Sequence, residues 1–200
     1  MKIVVTGTSS GLGAGLISRL SQHDVTALTR SQLELSNIDQ VQNYDIGIYD
    51  ILINCAGTGR GGKINFVEHA SEDIVDIVHV NLLAPMLLTK KALQANPRCR
   101  IVNITSTNNN RYYANDLAYS LSKQSLSVFG AMLRVEYPNV DLLEVRLGLV
   151  KTNFNANRYV NDQHRFSDIY FNPHLSVEQA VDRIMPVLFD PTIKFIEVGP

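Results

Sequence analysis

Apolar residues in this chain fall into two patterns. Some form short unbroken runs, and others recur every three or four positions through longer stretches. Short runs bounded by glycine or polar residues read as buried strands, whereas the helical recurrence reads as a helix with one covered face. The runs predict strands near 2–6, 24–29, 51–54, 100–105, 141–146 and 194–198, with a very short one at Leu33–Leu35. The periodic stretches predict helices near 11–22, 71–95, 115–137 and 176–189, and a stubby one near 37–43. Pro138 follows Tyr137 and stops the helix over 115–137, since proline has no amide to continue it. Strands alternating with helices form the βαβ pattern of a parallel sheet covered on both faces. With no internal repeat, low-complexity stretch or linker, the expectation is one α/β domain over residues 1–200.

Candidate chemistry sits at two places in this frame. Met1-Lys2-Ile3-Val4-Val5 leads into Thr6-Gly7-Thr8-Ser9-Ser10-Gly11-Leu12-Gly13, and a helix with apolar Leu16, Ile17 and Leu20 follows. Glycines at a strand-to-helix turn allow unusual backbone angles and close approach of a pyrophosphate, and the helix N-terminus offers it amide donors. The spacing is G-x3-G-x-G rather than the common G-x-G-x-x-G. The second place is Tyr119 and Lys123, four apart in a helical stretch and so on one face. A neighbouring ammonium favours phenolate, so the expected effect is a Tyr119 pKa below its ordinary value, suited to acid/base work. Ser106 stands thirteen residues before Tyr119, at the end of Ile101-Val102-Asn103-Ile104, where a hydroxyl could hold a substrate carbonyl.

Each of these has a blander reading. A Tyr-x3-Lys pair arises often by chance, and Ser106 lies between Thr105 and Thr107 in what could be ordinary turn chemistry. Tyr112 and Tyr113 lack a lysine four residues on, so they line a loop or simply pack. Asn81 could be a polar residue serving helix backbone. His79 is read as a packed or surface histidine, and His23, His69, His164 and His174 show no ligand spacing, so no metal is expected. Arg98 and Arg100, ahead of the strand near 100–105, are read as solvated charges.

Taken together, the motifs resemble the short-chain dehydrogenase/reductase family, in its single-domain branch. They run in family order: Thr6-Gly7-x3-Gly11-x-Gly13, an N-x-A-G turn at Asn54–Gly57, Asn81, Ser106, then Tyr119 and Lys123. The likeness covers roughly residues 1–152. It implies a Rossmann-type doubly wound sheet and an oxidoreductase acting between a carbonyl and an alcohol. By the same likeness Ser106 polarises the oxygen, Tyr119 is the general acid/base, Lys123 also binds the nicotinamide ribose, and Asn81 holds a proton-relay water. Cofactor contacts are implied for Gly7, Ser9, Ser10, Gly11, Leu12, Gly13, Leu35, Asn54, Ala56, Gly57, Tyr119, Lys123 and Thr152. The rival reading is a non-enzymatic NADP-binding redox sensor or scaffold of the same fold.

Departures from the family pattern carry their own expectations. Leu147 stands where relatives usually have proline before Gly148, which is expected to loosen the corner that presents Thr152. Leu121 replaces a commonly small residue, read as a packing change. The segment from Arg30 to Ile51 is compressed. Residues 153–175 are polar and aromatic-dotted, including Phe154, Tyr159, His164, Arg165, Phe166, Tyr170 and Phe171, and are expected to form the substrate-binding loop. The likeness also implies a homodimer or homotetramer, with Val128, Phe129 and Met132 serving that contact or the core.

Cofactor choice turns on the end of the strand Asp24-Val25-Thr26-Ala27-Leu28-Thr29, which has no acidic residue to hold a ribose 2′-hydroxyl. Arg30 follows directly and suits a 2′-phosphate, so NADP(H) is expected over NAD(H). The plain alternative is a solvated arginine at a strand end. Composition narrows the partners. Of 200 residues 45% are hydrophobic and 18% charged, with a formal net charge of −1, which gives no pull toward nucleic acid or an anionic membrane. The N-terminal apolar run is too short for a signal peptide, and Cys55 and Cys99 lack redox or metal spacing. The expectation is a cytoplasmic enzyme with a small-molecule carbonyl or alcohol substrate.

Overall fold

A computed structural model describes residues 1–110, 113–158 and 174–200. Six strands form one parallel sheet: β1 (Lys2–Thr6), β2 (Asp24–Leu28), β3 (Ile51–Asn54), β4 (Arg100–Ser106), β5 (Leu142–Leu147) and β6 (Phe195–Val198). Their spatial order is β2-β1-β3-β4-β5-β6. The chain runs outward from β1 to β2, then returns to place β3 on the other side of β1, with Val4 paired to both Thr26 and Leu52. That reversal opens a crevice at the carboxyl ends of β1 and β3, the place where open α/β sheets bind ligands.

Alternate residues of the central strands face opposite layers, as the period of two requires. Ile3, Val5, Ile51, Ile53, Val102 and Ile104 pack under α1 (Gly11–Arg19) and α7 (Val177–Leu188), against Leu16, Val181, Ile184 and Leu188. Val4, Leu52, Ile101 and Leu142 face α4 (Ala84–Ala95), against Ala84, Leu88 and Ala92. Both faces being covered explains why these strands read as unbroken apolar runs. The other α-helices among the described residues are α2 (Ile38–Asn43), α3 (Ser71–Val78), α5 (Leu117–Glu136) and α6 (Asn153–Arg158).

Three expectations change here. Leu33–Leu35 pairs with no strand among the described residues. Its neighbours spend their donors locally, Thr29 N on Gln32 Oε1 at 2.8 Å and Leu33 N on the Thr29 carbonyl at 3.1 Å. Leu33 and Leu35 nevertheless bury their side chains over the α4 face. The helix expected over 71–95 is broken by a π-turn at His79–Leu83. Pro85 has no amide for the carbonyl four residues back, at Asn81, so the α-helical ladder cannot continue there. Arg100 is not solvated: it is 5% exposed, ion-paired with Asp141, and donates to the carbonyls of Val187, Asp190 and Ile193. Position 100 begins a buried strand, and its side chain reaches the end of α7 to satisfy carbonyls that would otherwise be orphaned. His79 Nδ1 lies 2.9 Å from the Ser36 carbonyl, consistent with a packing role. Tyr112 and residues 159–173 of the expected substrate loop lie outside the described residues.

Candidate active site

The glycine turn is compressed to a degree only glycine permits. A Cβ on Gly13 would stand 2.2 Å from the Gly7 carbonyl oxygen, and one on Gly7, whose φ is +72°, would stand 2.6 Å from Ala56 Cα. Thr6 ties this turn to the next: its Oγ1 accepts from the amides of Cys55 and Ala56, both at 3.1 Å. Ser10 precedes α1 without capping it through its side chain, so the amides of the first turn remain available to an anion. The cradle and the open helix end fit a dinucleotide pyrophosphate.

These elements border a cleft of about 1520 Å³. Gly7, Ser9, Ser10, Gly11, Leu12, Gly13, Arg30, Leu35, Ala56 and Gly57 line it together with Ser106, Tyr119, Lys123 and Thr152. Two expected residues stand behind the wall. Asn54 is buried and donates to Asn103 Oδ1 at 2.9 Å and Thr89 Oγ1 at 3.3 Å. Asn81 is fully buried at the π-turn; its Oδ1 accepts from Thr58 N at 2.8 Å, while its Nδ2 donates to Thr58 O at 2.9 Å and Ser122 Oγ at 3.0 Å. Its side chain therefore holds the Gly57–Thr58 strand end in place, next to Lys123.

Ser106 closes β4, and Tyr119 and Lys123 occupy adjacent turns of α5. Lys123 is buried, with Nζ donating to the Ile104 carbonyl at 2.9 Å. Desolvation pushes its pKa down to about 8. The expected lowering of Tyr119 is not what this arrangement produces. Burial drives the phenol up to about 12, and its hydrogen bond with Ser106 offsets only part of that. Desolvation of the phenol itself is the dominant effect on Tyr119. Burial likewise pushes the Cys55 thiol up to about 12, which keeps it inert beside Lys123.

Thr152 sits against the glycine turn, its Cγ2 3.3 Å from where a Gly11 Cβ would be, and its Oγ1 accepts from Phe154 N at 3.3 Å. The corner at Leu147 is not loosened. Leu147 pairs with Val198, and Gly148 N donates to the Val198 carbonyl at 2.7 Å. Leu121 is exposed, so its bulk burdens no core position. Arg30 is 81% exposed, with Nε 3.5 Å from Glu34 Oε2. Sequence reasoning missed Thr58 and Ser122, which carry no motif. It also missed Asp116 and Arg158, which come together beside Tyr119 only through the fold.

Comparison with known proteins agrees with this geometry. Residues 32–163 match the short chain dehydrogenase family. The chain is 22% identical to the NADP-dependent 3-hydroxy acid dehydrogenase of Schizosaccharomyces pombe, over 85% of this chain and 79% of that one. In structure it is similar to serine dehydrogenase complexed with NADP+, with a TM-score of 0.85 and 21% identity, covering 100% of this chain and 95% of that one. It is also similar to 4-hydroxyisoleucine dehydrogenase complexed with NADH, with a TM-score of 0.81 and 20% identity over 100% and 98% of the two chains. No helix among the described residues is long and apolar enough to cross a membrane. With two-thirds of its length matched, the chain belongs to the short-chain dehydrogenase family, oxidoreductases that act on CH–OH and C=O groups with NAD(P).

Proposed function

We propose that this enzyme interconverts a carbonyl and an alcohol with NADP(H), using Tyr119 as general acid/base. The observation that carries the reading is that Ser106, Tyr119 and Lys123 line the same cleft as the glycine cradle. When bound, the nicotinamide supplies the hydride for reduction and takes it up in oxidation. The chain supplies the rest. Ser106 donates to the carbonyl oxygen and polarises it, and Tyr119 gives that oxygen its proton as the carbon gains the hydride, leaving an alcohol. Lys123 holds the ribose hydroxyls and, when charged, favours the phenolate that results. Asn81 keeps the Gly57–Thr58 backbone against Lys123 and lies on the route by which a water would return the proton. Gly7, Gly11, Gly13 and the α1 amides would hold the pyrophosphate, Leu35 and Ala56 the adenosine half, and Thr152 the carboxamide.

NADP(H) preference rests on Arg30, an exposed fork lining the cleft and suited to a 2′-phosphate, with Ser9 and Ser10 adding hydroxyl donors. The NADP-dependent S. pombe relative supports this choice, while the NADH-bound neighbour marks that the fold serves both cofactors. A stripe of exposed apolar residues along α5, Leu117, Leu121, Val128, Met132 and Val135, supports pairing with a second copy, which light scattering would test. The catalytic reading is tested by Tyr119→Phe. Turnover of NADPH with a carbonyl panel should fall by about a thousandfold or more while NADPH binding persists. Undiminished carbonyl reduction by that variant would overturn it.

A further inference from the structure

Asn108 follows Ser106 by two residues, in the 3₁₀ turn Thr107–Asn110 that leaves β4. It lines the cleft, but its hydrogen bonds run into the walls. Its amide donates to Ser106 Oγ at 3.2 Å. Its Nδ2 donates to Asp116 Oδ2 at 2.9 Å and to Ser120 Oγ at 3.3 Å. Its carbonyl accepts from Gln124 Nε2 at 3.2 Å. One residue therefore touches the hydroxyl that ends β4 and three side chains at the start of α5.

Those three side chains are not scattered. Asp116, Ser120 and Gln124 stand four apart and so form one stripe along the helix. Tyr119 and Lys123 each precede a member of that stripe by one residue and occupy the stripe beside it. Asp116 is the residue that caps α5, yet its side chain accepts from no amide of the helix. An aspartate in that place ordinarily satisfies the first turn. Here its carboxylate turns to Asn108, with Lys63 Nζ 3.7 Å from the same oxygen and Arg158 ion-paired with the other. A cap is forgone in favour of a tie between α5 and the turn after Ser106.

We propose that Asn108 is a positioning residue of the redox reaction. It sets the Ser106 hydroxyl against the part of α5 that carries Tyr119 and Lys123, so that one carbonyl oxygen meets both Ser106 and Tyr119. This inference rests on the redox reading above. A hydroxyl oxygen has two acceptor sites, and the Asn108 amide fills one of them and thereby fixes where Oγ lies. The Asn108 side chain and carbonyl, held by α5, decide where that amide stands. A displacement of about 1 Å in such a group costs about a hundredfold in rate. An asparagine that merely anchored its turn would leave Ser106 indifferent to it.

The test is a double-mutant cycle on NADPH-dependent reduction of the best-reduced carbonyl of the panel. Asn108→Ala should lower kcat at least about tenfold, with KM and the Kd for NADPH within about threefold of wild type. Asn108→Asp keeps the shape but sets an acceptor against Asp116 in place of a donor, and should lower kcat further. In a Ser106→Ala background each change should lower kcat by less than about twofold, because the hydroxyl it positions is gone. Gln124→Leu removes one tie without altering the turn. It should lower kcat by about threefold, with the same dependence on Ser106, and it decides the matter if the Asn108 variants do not fold. Wild-type kcat in Asn108→Ala, or a loss equally large with and without the Ser106 hydroxyl, would overturn the inference and leave the redox reading standing. A loss that appears in the Kd for NADPH together with a lowered Tm, rather than in kcat, would reduce Asn108 to a turn anchor. A wild-type enzyme that reduces no carbonyl of the panel would remove the redox reading and this inference with it.

Discussion

Replacing Gly13 by Ala sets two effects of known sign against each other. Gly13 lies inside α1, where alanine is ordinarily worth about 1 kcal/mol over glycine. The added Cβ, however, would meet the Gly7 carbonyl oxygen at 2.2 Å, its carbon at 2.8 Å and Thr8 Cα at 3.2 Å, all backbone atoms. Non-bonded carbon contacts settle near 3.5–4 Å, so the turn must open by about 1 Å. Overpacking of this kind costs about 1–3 kcal/mol, and a backbone obstacle places it at the upper end. The net loss is about 2 kcal/mol, or about 4–8 °C in Tm for a chain of this size. Because the atom displaced belongs to the cofactor cradle, NADPH affinity measured by fluorescence titration should weaken at least about tenfold. Gly130→Ala in α5 is the control. Its Cβ would meet the Leu142 methyls at 3.4 and 3.6 Å and Asn103 Nδ2 at 3.8 Å, all side-chain atoms in ordinary contact, so stability should hold or rise by up to about 1 kcal/mol. A Gly13→Ala protein with wild-type Tm and wild-type NADPH affinity would refute the reasoning.

Three further outcomes follow from the site. A phenol pushed up to about 12 stays protonated through the working range, whereas Lys123, pushed down to about 8, is charged below that pH and neutral above it. The rate of carbonyl reduction should therefore be level at lower pH and fall as pH rises through about 8, and Lys123→Met should remove that limb; a wild-type rate still climbing above it would contradict the assignment. Asn81→Ala strips partners from both the amide and the carbonyl of Thr58, so unfolding free energy should drop by about 2–4 kcal/mol, with turnover falling as the Gly57–Thr58 backbone shifts; thermal melts and steady-state kinetics would show it. Arg30→Glu should raise the Kd for NADPH by about 30-fold while changing that for NADH by no more than about threefold, and equal losses for both would remove Arg30 from the 2′-phosphate.

Much of this architecture was legible because buried parallel strands and glycine turns leave local signatures. The runs at Ile3–Val5 and Ile51–Ile53 are apolar at successive positions, since each face of the sheet is covered. Tyr119 and Lys123 advertise themselves through helical spacing. What escaped was non-local or dependent on environment. Arg100 looked solvated because its partners lie about forty and ninety residues away, at Asp141 and the end of α7. The π-turn at His79–Leu83 had a signal in Pro85 that periodicity overlooks. Arg158 joined Asp116 and Tyr119 through the packing of α6, which no spacing announces. The Tyr119 shift went the other way because proximity in sequence implies an ammonium nearby but says nothing of how far both groups are desolvated.

Transfer of label from reduced cofactor to product tests the catalytic reading most directly. With NADPH deuterated at the transferring carbon of the nicotinamide ring and the best-reduced carbonyl of the panel as acceptor, mass spectrometry should find one deuterium on the carbinol carbon of the alcohol formed by the wild-type enzyme. The Tyr119→Phe variant should form this labelled alcohol about a thousandfold more slowly, although it still binds NADPH. Alcohol formed without deuterium, or tight NADPH binding with no reduction of any carbonyl in the panel, would contradict hydride transfer and leave a cofactor-binding protein in its place.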